Sequence, residues 1–88
     1  EDADHNVSRI KINNEFKPNF ETQNFIRVYY FIKGTGSIII DGEEHKINQG
    51  NCFLVNETST EIITPKNELD FILVCDKLEK TRMFACNI

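Results

Sequence analysis

Apolar residues in this chain come in short runs broken by Gly, Asn, Asp and Pro, and no long stretch keeps the 3.6-residue period of an amphipathic helix. That pattern predicts strands over 7–12, 25–33, 37–40, 44–48, 52–56, 60–64, 69–75 and 82–86. Eight short strands joined by tight local connections describe an all-β barrel. Asp41-Gly42, set between Ile38-Ile39-Ile40 and a second apolar-polar run, supplies the two positive-φ residues that a tight hairpin needs. Gly34-Thr35-Gly36, Gln49-Gly50-Asn51 and Pro65-Lys66-Asn67 mark further reversals.

Within 69–75 the alternate residues Leu69, Phe71, Leu73 and Cys75 make one apolar face, and Asp70, Ile72 and Val74 make a mixed opposite face. The run from Val28 to Ile32 is two-sided in the same way. Arg27, Tyr29 and Phe31 share one side by the period of two, and Val28, Tyr30 and Ile32 share the other. A strand apolar on both sides needs cover on both, from the barrel interior and from a second sheet or subunit.

The chain's 88 residues leave room for one core, so residues 1–88 are read as a single domain; the start at Glu1 suggests excision from a longer chain. Apolar residues make up 40% and charged residues 27%, and seven Phe with two Tyr are too many aromatics for a disordered tail. A formal charge of -4 gives no clustered basic footprint for phosphate backbones, so direct nucleic-acid contact through this domain is not expected. No apolar run is long enough to cross a bilayer as a helix, and no charged-then-apolar signal segment opens the chain.

Cys52, Cys75 and Cys86 are odd in number and lack C-x-x-C spacing, which reads as buried small hydrophobes in a reducing, intracellular compartment. Two glycosylation acceptor patterns, at Asn6 and Asn56, matter only in a secreted protein. His45, beyond the Asp41-Gly42 hairpin, is expected to be exposed, and no Ser-His-Asp, Cys-His or paired-carboxylate spacing signals catalysis. The charge-rich run from Asp76 to Arg82 reads as an exposed turn.

The segment RVYYFIKGTGSIIIDGEEHKINQG from Arg27 to Gly50, followed by NCFLVN, resembles the cupin superfamily of double-stranded β-helix, jelly-roll barrels. The likeness lies in Gly34, Asp41-Gly42-Glu43 and Gly50-Asn51-Cys52-Phe53. It implies a small cupin of about eight antiparallel strands. Anchoring the first cupin motif, H-x-H-x3-E-x6-G, on Gly34 places Glu21, Gln23 and Arg27 at the His, His and Glu positions. The second motif, G-x5-P-x-G-x2-H, anchored on Gly50, puts Asn56, Thr58 and Glu61 at the Pro, Gly and His positions. All four metal ligands that the resemblance implies are thus changed, and a guanidinium at Arg27 disfavours a cation there. No metal and no cofactor is therefore expected. Oxygen donors at Glu21, Gln23 and Glu61 leave a hard-cation site as an alternative, against which Arg27 can pair with either carboxylate. Tyr29 and Phe31 either line an organic-ligand pocket or fill the core.

By resemblance the chain is similar to the metal-free cupins of the centromere protein C family and to the sensor-dimerisation cupins of AraC-type regulators. The expectation is a non-catalytic homodimerisation module of a larger chromatin- or transcription-associated protein, with Val28, Tyr30 and Ile32 at the dimer face. It would be nuclear in the first case and cytoplasmic in the second. A small-molecule-sensing cupin, or a metal-dependent isomerase or dioxygenase, is the competing expectation.

Overall fold

The structure is a computed structural model that describes residues 5–19 and 24–76. It holds seven strands: β1 (His5–Ile12), β2 (Ile26–Lys33), β3 (Gly36–Ile40), β4 (Glu43–Ile47), β5 (Cys52–Val55), β6 (Glu61–Pro65) and β7 (Leu69–Asp76). Seven of the eight expected strands are thus present within a residue or two. The eighth, over 82–86, lies outside the described residues, as do Cys86 and most of the charge-rich run that starts at Asp76.

The strands form two sheets, one ordered β1-β7-β2-β5 and the other β4-β3-β6, with every named pairing antiparallel. Between β1 and β2 the chain crosses to the smaller sheet, where Phe16 and Ile63 exchange two backbone hydrogen bonds of 2.9 Å. The core lies between the sheets. Tyr29 and Phe31 from β2, Ile38 from β3, Ile47 from β4, Val55 from β5, Ile63 from β6 and Leu69, Phe71, Leu73 and Cys75 from β7 are all buried there. The inward members of β7 are the alternate apolar set, as a pleat with period two requires. Phe71 is central, with ring centroids 5.2 Å from Phe31, 5.5 Å from Phe16 and 5.7 Å from Tyr29.

Two turns show why their residues are needed. Asp41 at φ 50° and Gly42 at φ 86° close the β3–β4 hairpin, the two successive positive φ values of a type I′ turn. Gly34, at φ 100°, brings the chain so close to the β6–β7 connection that a Cβ there would stand 2.2 Å from the Glu68 carbonyl oxygen.

Candidate functional site

Strand β2 carries Arg27, Tyr29 and Phe31 into the barrel on successive inward positions, and each is 0% exposed. Glu61, the first residue of β6, meets them from the facing sheet and is also buried. Arg27 donates from Nε to Glu61 Oε2 and from Nη2 to Glu61 Oε1, both at 2.6 Å, the forked geometry of a guanidinium on a carboxylate. Its Nη2 also donates to the Ser59 carbonyl at 2.8 Å, and Nη1 to the Phe25 carbonyl at 2.7 Å. The Tyr29 hydroxyl donates to Glu61 Oε2. Glu61 accordingly accepts three hydrogen bonds, two of them from a full positive charge.

The electrostatics follow from that arrangement. Burial works against the Arg27 charge, but the hydrogen bonds and negative charge of Glu61 outweigh it, and the guanidinium is held more firmly protonated than in water. Tyr29 is pushed well above the ordinary phenol value, first by burial and then by the proton it gives to Glu61. Burial also pushes the Cys75 thiol up. Arg27 therefore stays charged, and Tyr29 and Cys75 stay protonated, near neutral pH.

These residues do not fit a metal ion. The fork of Arg27 and the hydroxyl of Tyr29 engage both oxygens of Glu61, and a fixed positive charge fills the space beside them. Among the described residues no three His, Cys, Asp or Glu side chains come together. Glu21 and Gln23, the other two oxygen donors considered from the sequence, lie outside the described residues. Two cavities of about 400 Å³ each are lined by other residues, although Cys75, opposite Arg27 in the sheet, borders the second. One is bordered by Lys11, Lys33, Asn67, Glu68 and Asp70, the other by Ile10, Phe16, Pro18 and Leu73.

A second feature lies on the outer face of the larger sheet. The pairing register sets Val7, Val74, Val28 and Leu54 side by side across β1, β7, β2 and β5. Val7 is 64% and Leu54 55% exposed. The adjacent row is Arg9, Ile72, Tyr30 and Cys52, with Tyr30 45% exposed. One step further, Lys11 and Lys33 flank Asp70, whose carboxylate takes a forked pair of hydrogen bonds from Arg9 at 2.8 and 3.1 Å. Arg9 and the neighbouring lysines hold the Asp70 carboxyl below its ordinary value.

Arg27, Tyr29, Phe31 and Glu61 therefore meet inside the barrel, with both aromatics packed into the core. Val28 and Tyr30 lie on the outer sheet face. Ile32 falls out of the expected alternation: the register with β7 slips between Phe31 and Lys33, leaving Ile32 as a bulge without a directly opposed residue. Two further expectations are corrected. His45 is half-buried, its ring 6.0 Å from Phe53. Cys52 is exposed rather than buried, because it opposes Tyr30 on the outer face of an edge strand. The sequence reading missed Val7 and Leu54 as members of the outer rows, although their strand positions were known. It also missed the carbonyls of Phe25 and Ser59, which no side-chain pattern marks.

No protein-family model matches this sequence, and no curated protein does. Solved structures do match in fold. A cupin 2 conserved barrel domain protein from Salinispora arenicola superposes with a TM-score of 0.75 at 11% identity, covering 98% of this chain and 74% of that one. Ectoine synthase from P. lautus gives 0.73 at 16% identity, over 97% of this chain and 63% of the enzyme. A cupin protein from Bacteroides fragilis gives 0.70 at 16% identity, over 89% and 70%. Identities this low speak to fold alone, and with the all-antiparallel two-sheet architecture they show that this chain has the fold of a small all-β cupin barrel.

Proposed function

We propose that this barrel is a non-catalytic homodimerisation module, part of a larger chromatin- or transcription-associated protein of the kind represented by the centromere protein C family or AraC-type regulators. The observation that carries the reading is the pair of rows on the outer sheet, Val7–Val74–Val28–Leu54 and Ile72–Tyr30–Cys52, in which exposed Val7, Tyr30 and Leu54 stand in register with half-buried Val28, Ile72 and Val74. Scattered apolar residues are normal on a surface, whereas a contiguous band marks an interaction face.

The occupant is a second copy of the chain. Three strands of eight residues and one of four, at about 4.8 Å spacing and about 3.3 Å per residue, present a projected face of roughly 450 Å². Side-chain relief enlarges this toward the roughly 600 Å² per partner of the smaller specific interfaces. A flat row of aliphatic side chains is also self-complementary under a two-fold axis.

Sedimentation of the wild type, Tyr30→Glu and Leu54→Glu tests this. A dimer that both substitutions shift toward monomer supports the reading. A wild type that stays monomeric at 100 times the assay's lowest concentration, or a dimer indifferent to both changes, rejects it.

A further inference from the structure

We infer that the interior of this barrel is a cradle for a planar guanidinium, which the chain fills with its own Arg27, and that this cradle replaces metal coordination rather than coexisting with it. The inference rests on the interior network and is independent of the outer face.

Among the described residues, the acceptors around Arg27 come from three separate places: the Phe25 carbonyl at the entry to β2, the Ser59 carbonyl in the β5–β6 connection, and both oxygens of Glu61 on β6. Each lies 2.6 to 2.8 Å from a nitrogen of the guanidinium. Tyr29 fixes Glu61 from a further side by donating to Oε2. Acceptors spread around the edge of a planar cation with five N–H donors match a guanidinium; an ammonium has three donors and no fork.

Among the described residues, a divalent ion put in place of Arg27 would meet one carboxylate, one phenol and two amide carbonyls. That set lacks the imidazoles and thiolates that hold zinc and the several carboxylates that hold harder ions. Among the described residues, removing the guanidinium therefore leaves acceptors set out for a guanidinium and no metal-ligand cluster.

The test compares the wild type with Arg27→Ala, each refolded alone and with Zn2+, Mn2+, methylammonium or methylguanidinium, and reads thermal midpoints and bound metal by elemental analysis. The wild type should carry no stoichiometric metal. Arg27→Ala should lose on the order of 15 °C, the scale set by leaving a buried partner charge unpaired in a domain this small. Methylguanidinium should restore several degrees of that, and methylammonium and both metals should not. Stoichiometric metal in the wild type, rescue by a metal equal to that by methylguanidinium, or a folded Arg27→Ala deaf to methylguanidinium would each overturn the inference. If Arg27→Ala fails to fold under every condition, Arg27→Lys decides: a midpoint within about 3 °C of the wild type overturns the forked cradle, and a loss of 8 °C or more supports it.

Discussion

Arg27 and Asp41 are both held by Ser59: its carbonyl accepts from Arg27 Nη2 at 2.8 Å, and its hydroxyl donates to Asp41 Oδ2 at 2.6 Å. The Thr60 amide donates to the other Asp41 oxygen at 3.0 Å, and the Asp41 amide donates back to the Thr60 carbonyl at 2.9 Å. The tip of the β3–β4 hairpin, the β5–β6 connection and the interior ion pair are thus one connected structure. The Ser59 and Thr60 bonds hold the Asp41 carboxyl below its ordinary value.

An acid limb follows. Asp41 and Asp70 both have folded values depressed below those of the unfolded chain. Their contribution is complete above about pH 4, where unfolded Asp is ionised, and is lost as pH falls through the lower folded values. Urea midpoints taken from pH 6 to pH 2 should fall below pH 4, and Asp41→Asn and Asp70→Asn should each flatten that fall. A wild-type acid limb unchanged by both substitutions would contradict the assignment. Added salt should weaken the Asp70 contribution more, because Arg9 is 62% exposed and screened by ions.

The alkaline limb has the opposite sign. Tyr29 is raised in the folded state, so its stabilising contribution is complete below the unfolded phenol value of about 10 and is lost as pH climbs beyond it. Stability measured from pH 8 to pH 11.5 should decline at the upper end, with a shallower slope in Tyr29→Phe than in the wild type.

Breaking the interior pair and replacing it are different experiments. Glu61→Gln takes the forked Glu61 carboxylate away from the buried Arg27 charge and should cost roughly 3 to 5 kcal/mol in chemical denaturation. Substituting the whole trio with apolar residues as Arg27→Met, Tyr29→Phe and Glu61→Leu removes both charges and the phenol hydroxyl together, leaving only the Phe25 and Ser59 carbonyls without the Arg27 donors, and the triple variant should be more stable than Glu61→Gln by at least about 2 kcal/mol. A triple variant weaker than the single one would show that the polar network contributes net stability.

Three glycines should separate by cause. Gly34→Ala meets both a positive φ and a carbonyl oxygen 2.2 Å away, for a loss of roughly 2 to 5 kcal/mol. Gly42→Ala and Gly50→Ala have open space around them and only the backbone penalty, roughly 1 to 2 kcal/mol each. Equal losses at Gly34 and Gly42 would disprove the close approach.

The strands and the Asp41-Gly42 hairpin were legible because they rest on local signals, a period of two and a turn dipeptide. So was the inward set Arg27, Tyr29 and Phe31. That Arg27 pairs with Glu61 was one of two options, since the choice depends on which carboxylate arrives opposite, and Glu21 offered the other. The bulge at Ile32 was hidden because nothing in Phe31-Ile32-Lys33 departs from a regular strand; the slip is set by where β7 must place Phe71 and Asp70. The Val7–Leu54 row was hidden for a related reason, as it exists only once three pairing registers are fixed together.

The larger sheet joins β1 to β7, so the earliest described strand has as its one named partner the latest. Nearly the whole domain must leave the ribosome before β1 finds its neighbour, and the smaller β3–β4 hairpin can form long before that. Until then β1 waits as an unsatisfied ribbon, and the charges of Arg9 and Lys11, alternating with Ile10 and Ile12, are what discourage it from pairing with strands of other nascent chains.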